Sequence, residues 1–112
     1  MKFSRKQNED FGWQGLKGWV YNTKDEFPNV STAYLEITAS HGKVRNTLSD
    51  VVYYIVDGIG EFFVKDSWFS VKKADVVIIP KDTPYNFRTK NSTMKLLGVF
   101  TPAFDPKFDI KL

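Results

Sequence analysis

Short apolar runs alternate with polar, turn-forming segments along almost the whole chain. In residues 32–38, Ala33, Leu35 and Ile37 alternate with polar or mixed side chains, and this period of two predicts a strand with one buried face. Further strands are predicted by runs rich in β-branched and aromatic residues that end at turn residues; they lie at 51–56, 60–66, 68–71, 76–79, 85–89 and 94–101. Turn signals recur about every 8–12 residues, which is typical of a sandwich or barrel. No segment has a helical period, so we predict an all-β fold.

The two ends of the chain and one internal segment have a different pattern. In residues 11–21, three glycines alternate with Trp13, Leu16 and Trp19, which predicts an irregular edge segment that covers one end of the core. Residues 39–50 are polar and rich in turn formers, and they contain the only histidine, His41. The two prolines of the C-terminal tail predict an extended segment on the surface. We expect a single domain over residues 1–112, with a core barrel at about residues 30–101 and an extension at each end.

Composition narrows the class of protein. Aromatic residues make up 16% of the chain and suit a β-rich core. The absence of cysteine excludes disulfides and thiolate metal ligands. The net charge is only +3 with dispersed basic residues, so we expect no nucleic-acid partner. No apolar run approaches the roughly 20 residues that span a bilayer, and the N-terminus has no apolar signal segment, so we expect no membrane partner and a cytoplasmic location.

Two blocks of the sequence, VVYYIVDGIGEFFV and ADVVIIPKDTPYNF, resemble the cupin family of small jelly-roll barrels. Cupins carry a first motif G-x5-H-x-H-x3,4-E-x6-G and a second motif G-x5-P-x-G-x2-H-x3-N. Gly58 matches the last glycine of the first motif, Pro80 matches the proline of the second, and a spacer of cupin-like length, residues 59–73, separates the two. The resemblance implies a double-stranded β-helix, or jelly-roll barrel.

The metal ligands of the family are not retained. Counting back from Gly58, the motif glutamate falls on Val51, and the histidine of the second motif falls on Tyr85. The two histidines of the first motif fall on Arg45 and Thr47 or, with the longer spacing, on Val44 and Asn46. A metal needs several inward nitrogen or oxygen ligands around one point. We therefore expect neither a bound metal nor another cofactor.

The barrel interior is then the candidate site. If the motif positions keep their inward direction, alternation places Arg45, Thr47 and Tyr53 on one side, with Tyr85 and Phe87 facing them. An arginine there would pair with Glu36 or Asp50, or bind an anionic ligand. These five residues are the predicted ligand-binding set; the alternative is that the aromatic side chains simply fill the core while the arginine reaches out of the barrel mouth.

Three functions follow from these observations. The first is a metal-free cupin domain that binds a small polar or anionic molecule in the barrel, such as a sugar, a nucleotide sugar or a carboxylate. The second is a metal-independent sugar epimerase or isomerase, in which His41 is the base and Tyr53 or Tyr85 is the acid, like the histidine and tyrosine of some cupin epimerases. The third is a non-catalytic regulatory or dimerisation domain. The sequence leaves enzyme activity undecided, and we expect a homodimer in each case.

Overall fold

Eleven β-strands and one turn of 3₁₀ helix make up the fold, in a computed structural model that describes residues 1–112. The strands are β1 (Phe11–Trp13), β2 (Leu16–Val20), β3 (Ser31–Ile37), β4 (Val44–Asn46), β5 (Asp50–Asp57), β6 (Ile59–Val64), β7 (Ser67–Lys72), β8 (Val76–Ile79), β9 (Pro84–Arg88), β10 (Met94–Thr101) and β11 (Asp109–Lys111). The 3₁₀ turn spans Pro106–Phe108. The one helical segment is a single turn, far short of the length of a membrane-spanning helix. The predicted all-β fold is confirmed.

The strands form two antiparallel sheets that face each other. One sheet has the order β1-β2-β3-β10-β5-β8 and the other has the order β11-β4-β9-β6-β7. Neighbouring strands in the sheets are often far apart in sequence; β10, for example, lies between β3 and β5. This double-sheet arrangement is the predicted jelly roll.

The core lies between the sheets, where alternate residues of each strand meet. On β5, Val51, Tyr53 and Ile55 are buried, while Tyr54 between them is exposed. Tyr85 and Phe87 of β9 approach from the opposite sheet and are equally buried. The inward direction predicted for Tyr53, Tyr85 and Phe87 is therefore confirmed.

Two short strands lie in segments that the sequence pattern had assigned to loop or tail. β4 lies within the polar segment 39–50, and β11 lies within the C-terminal tail. The two pair with each other, and β4 also pairs with β9. A strand of three residues shows a single alternation, which no period analysis can detect; its existence depends on pairing partners distant in sequence. The glycine-rich segment 11–21 forms the β1–β2 hairpin at the edge of the first sheet.

Candidate functional site

Two tyrosines meet in the interior between the sheets. Tyr53 Oη lies 3.4 Å from Tyr85 Oη, and each residue has only 1% of its surface exposed. Gly98 lies directly across from Tyr53 on the neighbouring strand β10. A Cβ at Gly98 would come within 2.9 Å of the Tyr53 ring, so the missing side chain gives this ring its position. The two hydroxyls therefore form a buried pair joining the two sheets.

His41 lies beside this pair because its loop is fixed to β9. The amide of His41 donates to the carbonyl of Phe87 at 2.8 Å, and the amide of Gly42 donates to Asn86 Oδ1 at 2.8 Å. His41 Nδ1 lies 2.8 Å from the carbonyl oxygen of Gly42. A carbonyl oxygen only accepts, so Nδ1 carries the proton, and the unprotonated Nε2, which forms no hydrogen bond within the protein, keeps a free lone pair.

Aromatic rings surround the imidazole of His41. It stacks on the Phe87 ring with a centroid distance of 4.5 Å and on the Tyr85 ring at 5.8 Å. Trp13, from the β1–β2 hairpin, meets it edge to face at 5.5 Å and is itself half exposed. His41 thus lies between the buried tyrosines and the surface.

Burial sets the protonation states of these three side chains. It lowers the pKa of His41 below its ordinary value of 6.5, and the hydrogen bond to Gly42 opposes this only in part. Burial also raises the pKa of Tyr53 and of Tyr85 above 10, and the negative charge of Asp109 acts in the same direction. At neutral pH the site therefore combines a neutral imidazole with two protonated phenols.

The structure corrects the predicted direction of Arg45 and Thr47. In β4 the buried residues are Val44 and Asn46, and Val44 lies directly across from the inward-facing Tyr85. Arg45 lies on the opposite face, across from the half-exposed Pro84. The inward-facing residues are therefore those given by the longer motif spacing, Val44 and Asn46. The two spacings differ by one residue, and a shift of one residue moves every side chain of a strand to its other face.

Neither Arg45 nor Thr47 contributes a side chain to the interior cluster. Arg45 forms no salt bridge with Glu36 or Asp50, and its Nε is buried without a hydrogen-bond partner. The Thr47 hydroxyl donates to the carbonyl of Phe108 at 3.2 Å. The anion-binding role predicted for Arg45 thus has no support in the contacts of this side chain.

The side chains at the family's metal-binding positions do not fit a metal. With the spacing that the fold adopts, these positions hold Val44, Asn46, Val51 and Tyr85. Two of these side chains are aliphatic, and the phenol of Tyr85 is held protonated next to Tyr53. No three His, Cys, Asp or Glu side chains come together in a way that could hold a metal ion.

Sequence reasoning missed two polar residues that face the interior, Asn46 and Asp109. They lie directly across from each other on β4 and β11, and residues in such a pair point to the same face. Asn46 is 2% exposed, and burial raises the pKa of the Asp109 carboxyl. The longer motif spacing was the signal for Asn46, whereas nothing in the tail marked Asp109 before β11 was known.

Two clefts lie outside this cluster. A cleft of about 680 Å³ lies along β6, β7 and β9 on the side of Glu61 and Arg88, away from the buried tyrosines. A second, of about 420 Å³, follows the β1–β2 hairpin and includes Trp13, which touches His41. Neither cleft is lined by Tyr53, Tyr85 or Phe87, and the Tyr53 ring packs against the rings of the other two.

Together, the two facing sheets and their strand order define the cupin fold, with an imidazole and two phenols in its interior. No protein-family model matches the chain. In sequence, it is 25% identical over 88 residues to an uncharacterised protein of Aquifex aeolicus, a match that covers 79% of this chain and 73% of that protein.

Among solved structures, the chain is similar to Pac13 of Streptomyces, a nucleoside dehydratase. A form of Pac13 with uridine matches with a TM-score of 0.85 and 22% identity, over 100% of this chain and 89% of that one. KdgF from Halomonas matches with a TM-score of 0.80 and 14% identity, over 90% and 91% of the two chains. Oxalate decarboxylase of Bacillus subtilis matches with a TM-score of 0.79 and 15% identity, over 98% of this chain and 30% of that one. These likenesses confirm the cupin fold.

The Pac13 structures include three variants, each with uridine. In one a histidine is replaced by glutamine, and in each of the other two a tyrosine is replaced by phenylalanine.

Proposed function

We propose that this protein binds a nucleoside or a similar sugar derivative at His41, Tyr53 and Tyr85 and removes water from its sugar. The observation that carries the proposal is the meeting of these three side chains in one interior. They are the residue types replaced in the three uridine-bound Pac13 variants, in the same chain order and at closely similar spacings. Three separate segments of the chain, the loop at His41, β5 and β9, have to come together to form such a set.

The protonation states suit an elimination reaction. Removing water from a sugar requires a base that takes a proton from carbon and an acid that protonates the departing hydroxyl. The lowered pKa of His41 keeps its imidazole neutral, with Nε2 as the base. The raised pKa of Tyr53 and of Tyr85 keeps both phenols protonated, so either is an acid at neutral pH.

The proposed step balances without any further reactant. His41 Nε2 takes a proton from a carbon next to a carbonyl group of the sugar, because only such a carbon is acidic enough. The electron pair of that C–H bond forms a carbon–carbon double bond, and the neighbouring C–O bond breaks. A tyrosine donates its proton to the departing oxygen, which leaves as water. Return of the proton from His41 to the phenolate then restores the site.

Uridine and its sugar-oxidised derivatives are the probes for this proposal. We expect calorimetry to detect uridine binding, and mass spectrometry to detect the loss of one water from a uridine derivative with a carbonyl in its sugar. His41→Gln should still bind uridine but lower the turnover by about 10²-fold or more. Lys43→Gln, an exposed change two residues away, is the matched control and should keep the full rate.

The same experiment distinguishes dehydration from the two alternatives, epimerisation and ligand binding without catalysis. A product of unchanged mass but altered sugar configuration would replace dehydration with epimerisation, in which the same base and acid move a proton without loss of water. Uridine binding without any product would support a binding domain only. If wild-type protein neither binds uridine nor changes its derivatives, the nucleoside assignment is wrong.

A further inference from the structure

Only one carboxylate affects the pKa of the two tyrosines, and it belongs to the last strand. Asp109 of β11 lies directly across from the inward-facing Asn46. Asn46 lies two residues after Val44, which is directly across from Tyr85 on β9, so Asp109 faces the same interior as the tyrosines. In agreement with this, its charge raises the pKa of both phenols, in addition to the larger effect of burial. No lysine or arginine contributes to the pKa shifts of His41 or of either tyrosine.

One oxygen of this carboxylate and the amide nitrogen of the neighbouring Asn46 have no hydrogen-bond partner in the protein. Asn46 Oδ1 accepts hydrogen bonds from the amides of Leu48 and Ser49, at 2.9 and 2.7 Å, and these contacts fix the orientation of the amide group. Asn46 Nδ2 faces the Asp109 carboxyl and lowers its pKa, against the larger effect of burial, although the two groups do not reach full hydrogen-bond geometry. Both Asn46 Nδ2 and Asp109 Oδ1 are buried without a partner.

An unpaired donor and acceptor of this kind are costly in the unliganded protein. A buried polar group without a partner costs about 1–3 kcal/mol, so a ligand that completes its hydrogen bonds gains affinity. The carboxylate accepts from a hydroxyl or an N–H group. An anionic ligand would face the charge of Asp109 with no cation in the interior to offset it, since Arg45 lies on the other face of β4. The cation that acts on Asp109 is Lys111, an exposed residue of the same strand.

We propose that Asp109, held beside Asn46, selects a neutral ligand that donates a hydrogen bond, so that the site takes an unphosphorylated nucleoside rather than a nucleotide. This inference rests on the proposed function and adds its charge specificity. It also replaces the anionic ligand that the sequence suggested, because the charged residue at the site is an acid rather than an arginine.

Calorimetry with uridine and uridine 5′-phosphate tests the inference. Wild-type protein should bind uridine about tenfold more tightly than the phosphate, or better. Asp109→Asn should weaken uridine binding and bring the two affinities close together. Asp105→Asn is the matched control, because this acid lies on the same segment but pairs with Lys24 at the surface, and it should keep the wild-type ratio. If Asp109→Asn folds poorly, Asp109→Ser makes the same test.

The outcomes separate the two proposals. If uridine binds and Asp109→Asn or Asp109→Ser leaves the ratio unchanged, the role of Asp109 is overturned while nucleoside binding stands. If the phosphate binds the wild-type protein as tightly as uridine, the charge specificity is overturned. If neither compound binds the wild-type protein, the proposed function fails and the inference fails with it.

Discussion

The hydroxyl groups of Tyr53 and Tyr85 lie 3.4 Å apart, although the two residues belong to different sheets and are 32 positions apart in sequence. Both phenols are removed from solvent, so each hydroxyl is the other's only hydrogen-bond partner in the protein. The pair therefore contributes to stability as well as to the proposed chemistry, and the two contributions are measured separately.

For stability, the pair predicts a non-additive double substitution. Tyr53→Phe or Tyr85→Phe alone leaves one buried hydroxyl unpaired and should cost about 1–3 kcal/mol of unfolding free energy. The double variant leaves no unpaired hydroxyl and should cost no more than either single change. Urea denaturation measures all three, with the exposed Tyr54→Phe as a control near zero. Additive costs would show that the hydroxyls do not interact.

His41 predicts a pH dependence of stability. Its pKa is lowered in the folded protein, so between that lowered value and 6.5 the unfolded chain binds more protons than the folded one. The free energy of unfolding should therefore fall as the pH falls through this window, with the full contribution of His41 present above 6.5.

Urea denaturation between about pH 7.5 and about pH 5 checks this dependence. His41→Gln should show a flatter profile than wild type. Asp109, whose pKa is raised, acts in the opposite direction at lower pH but is common to both proteins. Identical profiles would mean that folding does not lower the pKa of His41.

The fluorescence of Trp13 should change when a ligand binds. Its ring contacts His41 at the surface end of the cluster and is 48% exposed, so Trp13→Phe should change the unfolding free energy by less than about 1 kcal/mol. Uridine should change the tryptophan fluorescence of wild-type protein. The change should be lost in Trp13→Phe and kept in Trp68→Phe, which alters a tryptophan on β7. A signal that persists without Trp13 would place the ligand elsewhere.

Arg45 should be dispensable for binding. Its Nε is buried without a partner and its side chain lies on the face of β4 away from the tyrosines. Arg45→Met should therefore leave uridine binding unchanged, and the unfolding free energy should stay equal or rise by about 1 kcal/mol. Calorimetry and urea denaturation measure both effects. A loss of affinity would contradict the orientation of β4.

The expected homodimer has a specific candidate surface. The outward face of β5 and β8 exposes Tyr54, Val76 and Ile78, and β8 is the edge strand of its sheet. An antiparallel edge strand can pair with its own copy about a two-fold axis, which also covers the apolar side chains beside it. We predict a dimer through β8.

Size-exclusion chromatography with light scattering tests this surface. Ile78→Lys should give a monomer, whereas Ile59→Lys, an equally exposed isoleucine on the other sheet, should stay dimeric. A monomeric wild-type protein, or an unchanged Ile78→Lys dimer, would contradict the assignment.

The sequence by itself determined the fold class and much of the core. Alternation in residues 32–38 predicted β3, and runs of β-branched and aromatic residues predicted β5, β8 and β10, because both patterns are local properties of the chain. The inward direction of Tyr53 followed from the motif positions together with the period of two of a strand. The motif glycine and proline set these strands in a cupin barrel, and the motif positions showed that its metal ligands are replaced.

Only the tertiary structure decided what the interior contains. Which face of β4 points inward depends on its pairing with β9 and β11 rather than on any local pattern. This pairing places Asn46, and not Arg45, in the interior. His41 reaches the tyrosines because its loop is hydrogen-bonded to β9, and Asp109 faces the same interior because the tail forms a strand that pairs with β4. These contacts join segments that are distant along the chain, and the sequence pattern carries no signal for them.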